Sequence, residues 1–142
     1  MSNLLVAKEY LSKGYSVCLC KDEEILLSSG KGIAFIAFLA RDGKKFVGYS
    51  VADKIVGKAA SHVYVLLGVR EVYGSVMTKE GLDILTKNGI VATYGTLVEQ
   101  IINRKGDGIC PMEMAVKDLS ESHKALEAVL NKIELLRKGK IE

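Results

Sequence analysis

Apolar and polar residues alternate along the chain with two different periods, which predict helices in some segments and strands in others. Helical spacing of apolar residues predicts a first helix from Asn3 to Lys13, and Gly14 follows as a left-handed helix-ending residue. Two β-prone runs, Tyr15 to Cys20 and Glu24 to Leu27, flank a short polar stretch and predict an antiparallel hairpin. The apolar run from Ile33 to Ala40 fits a buried strand and a buried helix equally well.

The middle of the chain predicts a helix followed by a βαβ unit. An apolar stripe at helical spacing predicts a helix with a core face from Asp53 to Leu67. Val72 to Met77 has strand character, and Thr78 is a predicted N-cap with Glu80 in the first turn of the following helix. Asn88-Gly89 is expected to close that helix before a strand from Ile90 to Tyr94. The two strands should be parallel and joined by a right-handed crossover.

The C-terminal segment predicts two further helices. Pro111 suits the first turn of a short helix, and Ser120 is a predicted cap for a last helix at about 121–137. The apolar residues expected on the buried side of this last helix are Ala125, Leu126, Val129, Leu130, Ile133 and Leu136. The order of elements predicts one α/β domain over 1–142, a three-layer α/β/α sandwich around a mixed sheet.

Composition narrows the class of protein. The 142 residues are 49% apolar and 26% charged with a net charge of +3, which is ordinary for a globular domain. No apolar run approaches the roughly 18 residues of a membrane span, and the N-terminus lacks signal-peptide character, so we expect a cytoplasmic protein. The basic residues are dispersed and aromatic residues are few, which disfavours nucleic acid as a partner. Three cysteines, two of them on one predicted strand, indicate reduced thiols.

The first candidate site is the segment Ser50 to Lys58, at the predicted start of the central helix. Lys54, Lys58 and His62 would share one helix face, either as a solvated basic surface or as charge beside an anion-binding helix N-terminus. Gly57 within a helix costs about 1 kcal/mol, which suggests close approach by a neighbouring backbone or a ligand. The segment is not a P-loop, because alanines occupy the positions of the required Gly and Ser or Thr.

The second candidate site is the segment Asn103 to Glu113. Its glycines allow a tight loop, so Asn103 and Arg104 can present polar groups beside the helix that Pro111 begins. Cys110 at a helix N-terminus is either a thiol whose ionised form is favoured or a small apolar plug, with Glu113 as an acidic residue of the first turn. His62 and His123, the only histidines, lack metal-ligand spacing, so no zinc site is predicted.

The segments Ser50 to Ala60 and Asn103 to Glu113 together resemble an uncharacterised bacterial domain family grouped with the cytidine-deaminase-like fold. The resemblance covers the chain from the first helix to about Val116. It implies a helix, a hairpin and then alternating helices and strands around a five-stranded mixed sheet, with Ile33 to Ala40 helical. It places Asp53 and Lys54 at the first zinc motif of deaminases and Cys110 and Glu113 near the second. The His or Cys ligand and the Glu of the first motif are absent here.

The leading hypothesis is therefore a deaminase-like domain that has lost zinc, uses no cofactor, and binds a small anionic or nucleotide-like molecule between helix N-termini. The expected ligand-binding residues are Asp53, Lys54, Lys58, Asn103 and Arg104. The alternative is a zinc-independent enzyme in which Cys110 is a nucleophile or redox thiol and Asp53 or Glu113 an acid or base. A third possibility is a scaffold or subunit without a ligand. The fold resemblance implies a homo-oligomer under every hypothesis.

Overall fold

The structure, a computed structural model, describes residues 2–141 of the chain. Within these residues the elements are, in chain order, α1 (Asn3–Ser12), β1 (Val17–Lys21), β2 (Glu24–Ser28), α2 (Ala34–Arg41), β3 (Ser50–Val56), α3 (Lys58–Leu67), β4 (Glu71–Thr78), α4 (Lys79–Lys87), β5 (Val91–Val98), α5 (Pro111–Ala115) and α6 (Ser122–Ile141). None of these helices is both long and apolar enough to cross a membrane.

The strands form one mixed sheet in the order β2-β1-β3-β4-β5. β1 is antiparallel to both of its neighbours, whereas β3, β4 and β5 are mutually parallel. The predicted hairpin and the predicted parallel βαβ unit are both confirmed. The fold is thus α/β, with a five-stranded mixed sheet flanked by helices.

The two faces of the sheet are covered unequally. On one face, α1 packs on β1 and β3 through a small cluster of Ala7, Cys18, Cys20 and Ala52. On the other face, α2, α3, α4 and α6 contribute to a much larger core. α1 contacts only part of β4, and no helix within residues 2–141 covers the rest of β4 and β5 on this face.

The predicted helix from Asp53 to Leu67 is wrong in its first part. Residues 53–56 belong to β3, which lies between β1 and β4, and α3 begins only at Lys58. Ile55 and Val56 fit the helical stripe by spacing, but β-branched side chains also favour strands. The strand conformation is stabilised here because β3 pairs with β1 along one edge and with β4 along the other. The apolar run before β3, by contrast, is helical as the family resemblance implies, and forms α2.

Most predicted element ends are confirmed by local hydrogen bonds and backbone angles. Thr78 Oγ1 accepts from the Gly81 amide at 3.0 Å, Gly89 has φ +78, and Pro111 occupies the first turn of α5. The predicted cap of the last helix is wrong, because Glu121 rather than Ser120 accepts the Lys124 amide, at 2.8 Å.

The last helix and the last strand both extend beyond their predicted ends. α6 runs to Ile141, and Leu136 on its predicted buried side is 43% exposed. β5 continues to Val98, past the predicted end at Tyr94. In the added part of β5, Leu97 and Val98 are partly buried.

Candidate functional site

The N-terminus of α3 is capped by the side chain of Glu113. One carboxylate oxygen accepts the Lys58 amide and the other accepts the Ala59 amide, both at 2.8 Å. Gly57, the N-cap residue, has no side chain to make these bonds. The first turn of α3 therefore already holds an anion, and that anion belongs to the chain itself.

Gly57 is required by this contact. A Cβ at this position would lie 2.1 Å from Glu113 Oε1 and 2.5 Å from Ile101 Cδ1, which is far inside van der Waals contact. Other groups do approach Gly57 closely, but those nearest to its missing Cβ are side chains of the chain and not the backbone or ligand that was expected. Gly57 lies at the helix boundary and not in the helix interior.

Lys58 is engaged in contacts within the protein. Its ammonium donates to the Lys117 carbonyl at 2.8 Å and lies 3.6 Å from a carboxylate oxygen of Glu80. Its side chain is only 13% exposed. The lysine therefore joins α3 to the segment after α5 and to α4, and its ammonium group already interacts with groups of the protein.

Lys54 does not share a face with Lys58 and His62, contrary to the prediction. It lies in β3, where its amide donates to the Ser16 carbonyl at 3.0 Å, and its side chain is exposed on the α1 side of the sheet. Lys58 and His62 lie on α3, across the sheet. The helical spacing that placed the three residues together does not apply to a strand residue.

Asp53 is held inside the fold by Tyr64. The Tyr64 hydroxyl donates to Asp53 Oδ2 at 2.6 Å, and the Ile55 amide donates to Oδ1 at 3.2 Å. Burial raises the pKa of Asp53 to about 6, against the lowering effect of these hydrogen bonds. Asp53 and Lys54 thus lie within a strand, and not at a helix start as the deaminase resemblance implies.

Asn103 and Arg104 lie in a hairpin-like loop between β5 and α5. Ile102 and Ile109 form an isolated bridge, and the Asn103 side chain donates to Asp107 at 2.9 Å, so its amide stabilises the turn. Arg104 is exposed and extends toward the loop before α2, 3.9 Å from where a Cβ on Gly32 would lie. The structure shows no contact between these two residues and Lys54 or Lys58.

Cys110 is the N-cap residue of α5 and is partly exposed. Its amide donates to the Ile101 carbonyl at 2.9 Å. Glu113 uses both oxygens on α3, and Asp53 is held by Tyr64, so each predicted acid or base already has a partner within the fold.

The other two cysteines are fully buried on one face of β1, as their alternation predicts. Burial and, to a lesser extent, repulsion by Cys20 raise the pKa of Cys18 to about 11. Cys110 is therefore the most accessible of the three thiols.

The two histidines occupy different environments. His62 is 3% exposed, with Nδ1 2.9 Å from Ser122 Oγ, and burial lowers its pKa. His123 is exposed on α6. Within residues 2–141, no three His, Cys, Asp or Glu side chains are grouped so that they could hold a metal ion.

A cavity of about 270 Å³ lies between α1 and the exposed part of the sheet, and we refer to it as the α1 groove. Its lining residues are Lys8, Leu11, Ser12, Lys54, Tyr73 and Ser75. The Lys8 ammonium lies 4.3 Å from the centre of the Tyr73 ring. The groove thus combines two cations with hydroxyl groups, and none of its lining side chains is a carboxylate.

Sequence reasoning found only Lys54 among these residues. The other members come from α1 and β4, which are distant in sequence and meet only in the fold. A weak signal was present, since Lys8 and Ser12 are one helical turn apart and Tyr73 and Ser75 are two strand positions apart. The two members of each pair therefore lie on the same face of their helix or strand. The sequence does not indicate that these two faces meet in the fold.

Comparison with known proteins gives the family of the chain. The fold resembles the crystal structure of a DUF1893 family protein (TM1506) from Thermotoga maritima, with a TM-score of 0.83. The two share 24% sequence identity over 93% of this chain and 91% of that chain. No curated protein matches the sequence. Residues 5–133 match the family model of TM1506, a domain of unknown function (DUF1893), so the chain belongs to this family.

Proposed function

We propose that this protein binds a small anionic, nucleotide-like molecule and that the α1 groove is the binding site. The observation that carries the proposal is the lining of the groove, in which Lys8 and Lys54 are present without any carboxylate. Two ammonium groups without an acidic neighbour create a positive potential that attracts anions. The groove retains Lys54 from the predicted ligand-binding set.

The chemistry of the groove suits a phosphorylated small molecule. The ammonium groups supply charge, while Ser75 and Tyr73 supply hydroxyl groups that can donate to phosphate oxygens. The apolar part of the lining, Leu11 and the Tyr73 ring, can contact an uncharged ring or sugar of the ligand. A volume of about 270 Å³ lies just below the usual range of ligand pockets, roughly 300–1,000 Å³, which favours a small ligand.

The groove is a better site than the predicted pocket between helix N-termini. Glu113 caps α3 with both oxygens, and Lys58 is paired with Glu80 and a backbone carbonyl. An external anion there would have to displace a carboxylate that the fold positions. In the groove, no described acidic side chain competes with the ligand.

We also propose that the fold is deaminase-like and that it lacks zinc-dependent deaminase activity. The order of elements, a helix, a hairpin and then alternating helices and strands around a five-stranded mixed sheet, supports the first part. The second part is supported by the sequence, because the usual zinc ligands and the proton-carrying Glu are absent from the segments that resemble the motifs. Elemental analysis that finds one tightly held zinc per chain would overturn the second part.

Thermal unfolding with matched ligands tests the binding proposal. Adenosine monophosphate and inorganic phosphate should raise the melting temperature more than adenosine does, because a ligand that binds only the folded state stabilises it. Lys54→Ala and Lys8→Ala should each reduce the response. Lys44→Ala removes an exposed lysine outside the groove and is the matched control, with a response equal to that of the wild type.

The same assay distinguishes the groove from other anion sites. If Arg104→Ala abolishes the rise in melting temperature and Lys54→Ala does not, the ligand binds beside the loop before α2, and the α1 groove is not the binding site. If a panel of nucleotides and sugar phosphates produces no shift in the wild type, the binding proposal itself fails. A reduction equal in all lysine variants, Lys44→Ala included, would indicate only nonspecific charge.

A further inference from the structure

β5 is an edge strand whose outer side has no partner within residues 2–141. It spans Val91–Val98 and contains no charged residue and no proline. Val91 is 58% exposed and Tyr94 is 42% exposed. Proteins commonly protect free edges with charges, prolines or very short strands, and an edge without these features readily pairs with another strand.

The opposite edge of the sheet is protected in the usual way. β2 has only five residues and begins at Glu24, directly after the charged residues 21–23. The difference between the two edges indicates that β5 is the edge available for pairing. It also provides a control surface in the same molecule.

The direction of the backbone groups identifies which residues of β5 can pair. The Val91 amide donates to the Arg70 carbonyl at 3.2 Å, so the backbone groups of Val91 point toward β4. Successive residues of a strand direct these groups to opposite edges, and those of Ala92 and Tyr94 therefore point outward. The regular pairing with β4 is interrupted at Gly95, so this phase holds for residues 91–94.

We propose that β5 is a homodimer interface, in which it pairs antiparallel with β5 of a second copy about a twofold axis at Thr93. In this register, Ala92 lies opposite Tyr94 of the other copy, and the outward amide and carbonyl groups of these two residues are paired on both strands. The two molecules then share one continuous sheet, with α1 of each copy on the same face.

The side chains of β5 fit a second copy of itself in this register. Tyr94 lies opposite Ala92, and Val91 lies opposite Gly95, so each exposed apolar side chain faces a small residue. Thr93 lies opposite Thr93 of the other copy, and paired threonines are a favourable cross-strand combination. The uncharged strand brings no like charges together, and the end near Lys87 meets the end near Glu99 of the other copy.

Two measurements test the interface itself. Sedimentation at micromolar concentration should give twice the chain mass of 15.4 kDa for the wild type. Tyr94→Lys places a charge on the paired edge and should give a monomer with unchanged circular dichroism. Ile25→Lys makes the equivalent change on the β2 edge, where residue 25 is 37% exposed, and should leave the dimer intact.

Disulfide trapping tests the register. In a Cys110→Ser background, Thr93→Cys should cross-link the dimer upon mild oxidation, because residues facing each other in a non-hydrogen-bonded pair have Cα atoms about 4.5 Å apart. Val91→Cys is the matched control, since the two copies of residue 91 would be about 14 Å apart along the strands. It should not cross-link.

Three outcomes would overturn the proposal. A wild-type monomer at 100 µM would exclude the dimer, and a dimer that survives Tyr94→Lys would place the interface elsewhere. Cross-linking of Val91→Cys as fast as that of Thr93→Cys would refute the twofold axis at Thr93. Because none of these variants alters a lining residue of the α1 groove, the ligand response in thermal unfolding should remain with either oligomeric state.

Discussion

The cap that Glu113 provides to α3 predicts a large loss of stability when the carboxylate is removed. Glu113→Ala leaves the amides of Lys58 and Ala59 without partners in the partly buried first turn of α3. A hydrogen bond to a charged group contributes about 1.5–3 kcal/mol, whereas loss of a helix cap costs about 0.5–2 kcal/mol. Since water can reach part of this site, we expect an intermediate total of about 2–3 kcal/mol for the two bonds.

Urea unfolding measures this free energy directly. For a chain of this size, about 3 °C of melting temperature corresponds to 1 kcal/mol, so Glu113→Ala should melt roughly 6–9 °C below the wild type. Glu113→Gln keeps the size of the side chain and one good acceptor, so its loss should be about half as large. Glu134→Ala, which removes an exposed glutamate of α6, is the control and should change stability by less than about 0.5 kcal/mol.

The variants also separate a structural role of Glu113 from a catalytic one. A loss below about 0.5 kcal/mol for Glu113→Ala would mean that the carboxylate does not cap α3 in solution. The first turn of α3 would then be free to bind an external anion, as the sequence suggested. A loss of about 2–3 kcal/mol in the free energy of unfolding would show that the carboxylate of Glu113 has a structural role as the cap of α3.

The buried Asp53, the three thiols and the missing zinc ligands each give a further prediction. The wild type should lose stability relative to Asp53→Asn as the pH rises from about 4 to about 6, because burial raises the pKa of Asp53 to about 6 and the folded state holds its proton more tightly. Urea unfolding at several pH values measures this difference, and parallel profiles would refute it. Iodoacetamide followed by mass spectrometry should label Cys110 before Cys18 and Cys20, which are fully buried. Equal labelling would show that β1 is accessible. The purified protein should hold no stoichiometric zinc and should not deaminate cytidine, adenosine or guanine, as elemental analysis and product assays can establish.

Local signals were sufficient for much of the fold because the relevant interactions span few residues. The Thr78 cap, the left-handed Gly89 and the helix start at Pro111 each depend on contacts within one turn. The predicted hairpin is similarly local. β3 was mistaken for a helix because Ile55 and Val56 fit the helical stripe, although β-branched residues also favour strands, and its strand state depends on neighbours that are distant in sequence.

The candidate site was harder to predict, since its contacts join distant parts of the chain. Glu113 and Lys58 are 55 positions apart, and neither residue indicates the other by spacing. The lining of the α1 groove combines a helix face with two strands, so Lys54 was found as a cation but was assigned to the wrong neighbours. The residue type of Lys54 was enough to predict a positive charge, but its neighbours could be identified only once the order of the strands in the sheet was known.

Gly57 shows how a local signal for an anion at a helix N-terminus can be satisfied by the chain itself. A glycine at a helix boundary indicates that some group approaches closely, and the free amides there favour an anion. Both inferences hold, but the anion is Glu113 of the same chain. A tethered carboxylate has an effective concentration in the millimolar range or above, so it prevails over a free ligand unless that ligand binds far more tightly. An external anion therefore binds the N-terminus of α3 only if it competes successfully with the carboxylate of Glu113.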